Sequence, residues 1–218
     1  GGSPKNALTG SPKRGNGIDL FSAFFGISTG GPGQKSGTKG SPTQRPGNSL
    51  GGAICIRIAI DHPQRVTRML LMAPGGLEAR EVYMGMKGIR SMLRAIFDPA
   101  GLSLESMRKV FSKQLHDPSI ISEALLEQRL AIARTQPQAV FATSRVPNQA
   151  DELHRIQCPV LALWGEGDQF CPVSGAETLK ARVPNIEVQC FADCGHWVMV
   201  EHEAVFNRMM CDFLLEPS

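Results

Sequence analysis

The chain has 218 residues, of which 42% are hydrophobic and 20% are charged, and its formal net charge is +3. This length and composition suit one domain with a sizeable core and an inserted subdomain, and they argue against two independent domains. The excess positive charge lies in residues 1–47, which have six basic residues and one acidic residue but no interleaved aromatic residues, so we expect no nucleic-acid partner.

Six cysteines are spread along the chain without a Cys-x-x-Cys pair, which predicts free, buried thiols in a reducing compartment. Cys190, Cys194 and His196 do not have the spacing of a zinc site and lack a fourth ligand, so we expect no metal. We find neither a secretory signal nor an apolar run long enough to cross a membrane. The sequence therefore predicts a soluble, cytoplasmic protein with no membrane partner.

Residues 1–47 are rich in glycine, proline and serine, which together form about half of this segment. We expect a basic leader without its own core, because so little apolar surface does not offset the cost of ordering the chain. Residues 34–46 are polar and contain Pro42 and Pro46, so we predict no core strand there. The edge of the strand predicted at residues 67–73 would then be incompletely covered.

Residues 48–218 alternate short apolar runs with helical patterns, which predicts an α/β domain with a parallel sheet. Strands are predicted at residues 67–73, 158–165 and 186–191, and helices at 53–60, 174–183 and 201–215. Residues 77–150 instead show helical periodicity with breaks at three prolines, and this pattern predicts an insertion of four helices.

Residues 47–51 have the pattern Gly-x-Ser-x-Gly, with Ser49 at its centre. The pattern is typical of a nucleophile elbow, in which a serine lies on a strained turn between a strand and a helix. Glycines are needed because so tight a turn brings the backbone close to its neighbours. The pattern alone is weak, since a chain with 23 glycines produces it by chance.

Two further residues follow predicted strands and complete a set of catalytic groups. Asp168 follows the strand at 158–165 and His196 follows the strand at 186–191, where active groups gather in parallel sheets. With Ser49 they stand in the order Ser, Asp, His that this type of fold uses. We expect His196 to take the proton of Ser49 and Asp168 to orient the imidazole. Glu166 and Asp193 are the alternatives to Asp168, the first too near its strand and the second too near His196.

From residue 47 to its C-terminus the sequence resembles the meta-cleavage product hydrolases. These α/β-hydrolases cleave a carbon–carbon bond in the ring-opened dienoates of aromatic degradation. The resemblance lies in the elbow at residues 47–52 and in the stretches at 71–77, 125–129, 164–170, 194–197 and 201–202.

The resemblance implies an α/β-hydrolase sheet with a helical lid at residues 77–150 within a core domain at 48–218, a small dienoate as substrate, and no cofactor. It implies that Asn48, Arg129 and Trp197 line the polar end of the substrate, where Arg129 contacts the carboxylate and the oxo group. A planar guanidinium suits this task because it binds a carboxylate through two hydrogen bonds. The residues implied at the apolar end are Phe111, Phe170 and Cys171.

The family stabilises an oxyanion with two backbone N–H groups, which the resemblance assigns to Leu50 and to Gly30 in a short glycine-rich stretch. The family also places two strands and their helices between these positions, where this chain has only residues 34–46. We therefore expect a truncated or frame-shifted sequence whose N-terminal strands are missing and whose leader is foreign to the fold. A carbon–carbon hydrolase, a carboxylesterase and a catalytically incompetent fragment stay open as alternatives, as does a homo-oligomer.

Overall fold

The computed structural model describes residues 42–139 and 145–215. In this part of the chain one parallel sheet has the strand order β1, β2, β3, β4. The strands are β1 (Thr43–Asn48), β2 (Val66–Met72), β3 (Val160–Gly165) and β4 (Ile186–Phe191). The parallel sheet and the three strands predicted from apolar runs are confirmed.

Helices lie between and after the described strands. Helix α1 (Leu50–Asp61) follows β1, and α6 (Ser174–Arg182) precedes β4. The segment between β2 and β3 contains, among its described residues, the four predicted helices α2 (Arg80–Gly85), α3 (Lys87–Ile96), α4 (Leu104–Phe111) and α5 (Glu123–Arg134). The helix expected at 201–215 begins two residues later than predicted: Glu201 ends a separate short helix, α7 (Val198–Glu201), and α8 (Glu203–Leu215) follows after His202. Short 3₁₀ turns are at Pro63–Arg65, Pro118–Ile120 and Ala150–Arg155.

Side chains of β2 and β3 alternate between the two faces of the sheet, as the two-residue period of a strand requires. Met69 and Leu71 pack into a core with residues of α1 and α6. Leu70 and Leu163 pack on the opposite face with Phe206 of α8. Both faces are covered by helices, which is why these strands are continuous apolar runs in the sequence.

Strand β1 contradicts one sequence-based expectation. Residues 43–46, predicted to lie in a leader without strands, pair with β2 in parallel, so the edge of β2 is covered. The prediction was wrong here because ladder pairing uses backbone groups and does not require an apolar side chain at every position. Pro46 is compatible with the strand because β1 lies at the edge of the described sheet, where proline is tolerated. Residues 1–41, which contain the rest of the predicted leader, lie outside the described residues.

The turn between β1 and α1 has the strain expected of the elbow. Ser49 has a φ of 53°, in the left-handed region that non-glycine residues rarely adopt. Its N–H donates to the Met72 carbonyl oxygen at 3.0 Å, and its own carbonyl oxygen accepts from the N–H of Gly75 at 2.8 Å. A Cβ atom on Gly47 would lie 2.6 Å from the carbonyl oxygen of Gly51, so the turn has no space for a side chain there.

We predict that Gly47→Ala destabilises the protein by about 1–3 kcal/mol, because the added methyl group meets rigid backbone. Urea unfolding of the full chain measures this change. Gly85→Ala is the matched control, since a Cβ atom on Gly85 would meet nothing within 4 Å. Equal unfolding free energies for the two variants would show that the elbow relaxes without cost.

Candidate active site

Asp168 and His196 form a buried pair at the carboxyl ends of β3 and β4. His196 Nδ1 lies 2.6 Å from Asp168 Oδ2, and both side chains are fully buried. Because a carboxylate only accepts hydrogen bonds, the contact assigns the Nδ1 proton to the imidazole and leaves Nε2 as the unprotonated nitrogen of the neutral ring. Of the alternatives to Asp168, Glu166 is exposed, and Asp193 lies beside His116, 3.6 Å away.

The loop after β3 is built around the second oxygen of the Asp168 carboxylate. Oδ1 accepts hydrogen bonds from the backbone N–H groups of Phe170, at 2.7 Å, and Cys171, at 3.0 Å. The ring of Phe170 stacks on the imidazole of His196 with centroids 5.1 Å apart. The same loop therefore orients His196 at its edge and covers one of its faces.

Ser49 lies at the carboxyl end of β1 and contacts the Asp168 loop through Cys171. The Ser49 hydroxyl forms a side-chain hydrogen bond with the Cys171 thiol. Burial raises the pKa of this thiol well above its usual value, the nearby Asp168 carboxylate adds to the effect, and the Ser49 hydroxyl opposes it. Cys171 is therefore a neutral thiol at neutral pH, a hydrogen-bonding neighbour of Ser49 and not a second nucleophile.

The side chain of Asn48 stabilises the elbow through a hydrogen bond to the backbone. Its Nδ2 donates to the Met72 carbonyl oxygen at 3.0 Å, the same oxygen that accepts from the N–H of Ser49. Its Oδ1 is buried and has no hydrogen-bond partner among the described residues. The side chain thus stabilises the turn and retains an acceptor that a ligand can use.

The predicted aromatic residues meet where the helical insertion covers this edge of the sheet. Phe111, Phe170 and Trp197 belong to one apolar cluster with residues of α3, α4 and α5. Phe111 and Trp197 pack edge to face with centroids 5.2 Å apart. The indole N–H of Trp197 is buried and, within the described ranges, has no hydrogen-bond acceptor.

Arg129 lies on α5 of the same insertion and is half-buried. Burial lowers the pKa of its guanidinium, which reflects the cost of removing the charge from water. Leu50, one of the two predicted oxyanion donors, is the first residue of α1 and directly follows Ser49. The other, Gly30, lies outside the described residues.

Sequence reasoning missed two groups that hold the loop of His196. The His196 N–H donates to the carbonyl oxygen of Gln114 at 2.6 Å, and the neighbouring N–H of Gly195 donates to Glu201 Oε2 at 2.7 Å. A backbone carbonyl has no sequence signature, so Gln114 could not have been found. The sequence indicated Glu201 only weakly, through its position a little over one helical turn after His196.

Other chemistry is limited in the described part of the chain. No group of three or more His, Cys, Asp or Glu side chains there could hold a metal ion. No helix in the same ranges has both the length and the apolar character of a membrane span. The six cysteines are free, but Cys190 is half-buried and Cys211 is exposed, so the expectation that all are buried was too broad.

A parallel sheet with a strained serine turn after β1, an aspartate after β3 and a histidine after β4 defines the α/β-hydrolase fold. In agreement, the family profile described as "Serine aminopeptidase, S33" matches residues 34–203. A serine hydrolase of the polyaromatic-hydrocarbon-degrading bacterium Cycloclasticus zankles superposes with a TM-score of 0.69 at 28% identity, over 80% of this chain and 64% of that one.

The similarity extends to individual relatives. The chain is 33% identical over 177 residues to the 2-hydroxy-6-oxo-6-phenylhexa-2,4-dienoate hydrolase of Burkholderia cepacia, a match that covers 77% of this chain and 61% of the relative. A variant of the meta-cleavage product hydrolase CumD superposes with a TM-score of 0.69 at 25% identity, over 82% of this chain and 67% of that one. The chain belongs to the α/β-hydrolase family that the profile describes, and it is similar to the meta-cleavage product hydrolases within it. It spans about three fifths of the length of the curated relative.

We predict that Asp168→Ala destabilises the full chain by about 1–3 kcal/mol, because the buried N–H groups of Phe170 and Cys171 lose their acceptor. Asp168→Asn keeps one side-chain oxygen for these groups, so its loss is smaller. Urea unfolding compares the two, with the exposed Asp193→Asn as the control. Equal losses in the alanine and asparagine variants would show that the two N–H bonds do not contribute to stability.

Proposed function

We propose that this chain is a serine hydrolase that cleaves a carbon–carbon bond in 2-hydroxy-6-oxo-dienoates. The observation that supports this best is the buried Asp168–His196 pair, with Nδ1 and Oδ2 2.6 Å apart, at the edge of the sheet where Ser49 directly follows β1. The Burkholderia cepacia relative is named for a reaction on this substrate class. A buried histidine oriented by an aspartate and a serine on a strained turn, at the same edge of the sheet, are the groups that such a reaction uses.

The proposed reaction begins when the dienol substrate ketonises, which makes the later fragment a usable leaving carbanion. The Ser49 oxygen attacks the ketone carbon, and Nε2 of His196 takes the hydroxyl proton. The Asp168 carboxylate stabilises the resulting imidazolium through Nδ1. The N–H groups of Leu50 and Gly30 stabilise the oxyanion.

The carbon–carbon bond then breaks, its electron pair passes to the dienoate fragment, and that fragment takes the proton from His196. The remaining acyl group is an ester of Ser49. A water molecule, deprotonated by His196, attacks this ester and releases a carboxylic acid with regeneration of the Ser49 hydroxyl. Both halves of the reaction use the same base, so loss of His196 would stop each of them.

Substrate binding in this proposal uses both the sheet edge and the helical insertion, which acts as a lid. The guanidinium of Arg129 is half-buried, and a substrate carboxylate would offer it paired, charge-assisted hydrogen bonds that favour its charged form. Asn48 Oδ1 and the Trp197 indole N–H are buried polar atoms that complete this polar end. Phe111, Phe170 and Cys171 form the apolar end.

We propose that the chain is a soluble, cytoplasmic enzyme that acts on small molecules. The free thiols, most of them buried, fit a reducing compartment. A homo-oligomer stays a prediction that size measurement in solution would check.

The proposed function is tested by incubating the full chain with a fluorophosphonate and, separately, with a 2-hydroxy-6-oxo-6-phenyl-dienoate. We expect the phosphonate to modify Ser49 and the absorbance of the dienolate to decay. Ser49→Ala should lose both activities, whereas Ser91→Ala, on α3, should keep them. Modification without dienoate turnover would favour the carboxylesterase, and neither reaction in the wild-type chain would favour the incompetent fragment.

We predict that Arg129→Lys lowers kcat/KM for the dienoate by about 10-fold to 100-fold and for a neutral aryl ester by less than about twofold. The reason is that only the dienoate has a carboxylate for the planar guanidinium, and a lysine cannot reproduce its paired hydrogen bonds. Arg134→Lys is the control on the same helix, because Arg134 bonds to the Leu102 carbonyl oxygen. Equal losses on both substrates would assign Arg129 to packing of the insertion.

A further inference from the structure

The carboxylate of Glu201 joins two segments that are distant in the sequence. Glu201 is the last residue of α7, and its Oε2 accepts from the N–H of Gly195 at 2.7 Å. Its Oε1 accepts from the N–H of His116 at 2.5 Å, in the segment that follows α4 of the insertion. One side chain therefore contacts the loop of His196 and the insertion together.

The same two segments meet a second time at His196 itself. The His196 N–H donates to the carbonyl oxygen of Gln114 at 2.6 Å, and Gln114 is fully buried only two residues before His116. The consecutive N–H groups of Gly195 and His196 are thus held by two acceptors, one from α7 and one from the insertion. Glu201 ties those two acceptors to each other through His116.

From these contacts we propose that Glu201 is a positioning residue that holds His196 in the orientation needed to accept the proton of Ser49. The inference rests on the proposed function only for the role of His196 as the base. Glu201 itself acts through the backbone of Gly195 and His116 and is not a catalytic residue.

The chemistry of the contact requires a carboxylate. Glu201 accepts from two backbone N–H groups and, at 3.7 Å, from the Cys194 thiol, and an ionised carboxylate offers an acceptor oxygen to each of the two N–H groups. A glutamine of the same shape has one acceptor and one donor group, so it satisfies only one of the two N–H groups. The other N–H would then face an amide N–H₂ group.

The backbone at Gly195 is tightly packed, so the loss of one of these hydrogen bonds would shift the imidazole of His196. A Cβ atom on Gly195 would lie 2.5 Å from the Gln114 carbonyl oxygen, and one on Gly165 would lie 2.0 Å from the Gly195 carbonyl oxygen. The backbone at residue 195 therefore lies between the end of β3 and the insertion with no spare space. A shift there moves His196 relative to Asp168, and a displacement of about 1 Å in a proton-transfer geometry can cost about 100-fold in rate.

The test uses the full chain with Glu201→Gln and the matched control Glu203→Gln, whose side chain is exposed two residues further on. The first measurement is the rate of fluorophosphonate modification of Ser49, and for active protein kcat and KM for the dienoate. We expect a fall of about 10-fold to 100-fold in the modification rate and in kcat for Glu201→Gln, with KM within about twofold. Glu203→Gln should match the wild type.

The second measurement is the proton resonance of His196 Nδ1–H in protein with ¹⁵N-labelled histidine, assigned by its loss in His196→Asn. We expect this proton to exchange with water at least about 10-fold faster in Glu201→Gln and unchanged in Glu203→Gln. A purely structural role for Glu201 would lower the thermal midpoint and leave this resonance as in the wild type. That result, or a wild-type modification rate in Glu201→Gln, would overturn the proposal.

Two provisions separate the possible failures. If the wild-type chain reacts with neither phosphonate nor dienoate, the proposed function fails, but the Nδ1–H resonance still decides the positioning role. If Glu201→Gln does not fold, amide exchange of the wild-type chain replaces it. The Gly195 and His116 amides should then exchange within about twofold of each other, because one carboxylate holds both, and a difference above about 10-fold would refute the shared contact.

Discussion

The carbonyl oxygen of Met72, at the end of β2, accepts hydrogen bonds from the N–H of Ser49 and from Nδ2 of Asn48, both at 3.0 Å. These two bonds hold a serine whose φ of 53° costs energy and persists only where its surroundings determine it. They depend in turn on parallel pairing, which places Asn48 opposite Met72. An unpaired buried N–H at this point would cost about 1–3 kcal/mol, so the ladder, the elbow and the start of α1 form as one unit.

The helical insertion and the site loops share their contacts. The N–H of Gly88, in the first turn of α3, donates to the carbonyl oxygen of Gln169 at 2.8 Å, and a Cβ atom on Gly88 would lie 2.4 Å from the ring of Phe170. Phe170 in turn stacks on His196. The segment after α4 holds His196 from the other side through Gln114. The insertion that would cover a substrate is therefore also part of the support of the imidazole.

Much of the fold could be read from the chain because its central strands are buried on both faces. Such strands appear as unbroken apolar runs, and those at β2, β3 and β4 were predicted within two residues of their observed bounds. Strand β1 was missed because it lies at the edge of the described sheet and its first four residues are half-buried or exposed. An edge strand is held in the sheet by its backbone hydrogen bonds. Because its side chains are polar and include a proline, it has no apolar run from which a strand could be predicted.

The sequence by itself determined which reactive groups this protein has and that Asp168 and His196 follow two buried strands, because the carboxyl ends of parallel strands meet at one edge of a sheet. It also selected Asp168 over Glu166 and Asp193 as the predicted partner of His196, and Asp168 and His196 lie 2.6 Å apart. Only the tertiary structure decided how these groups are held. The hydrogen bonds accepted by the Gln114 carbonyl, the Glu201 carboxylate and the Met72 carbonyl join segments that are distant in the chain. Two of these acceptors are backbone atoms, which every residue has, so no pattern of residue types can reveal them.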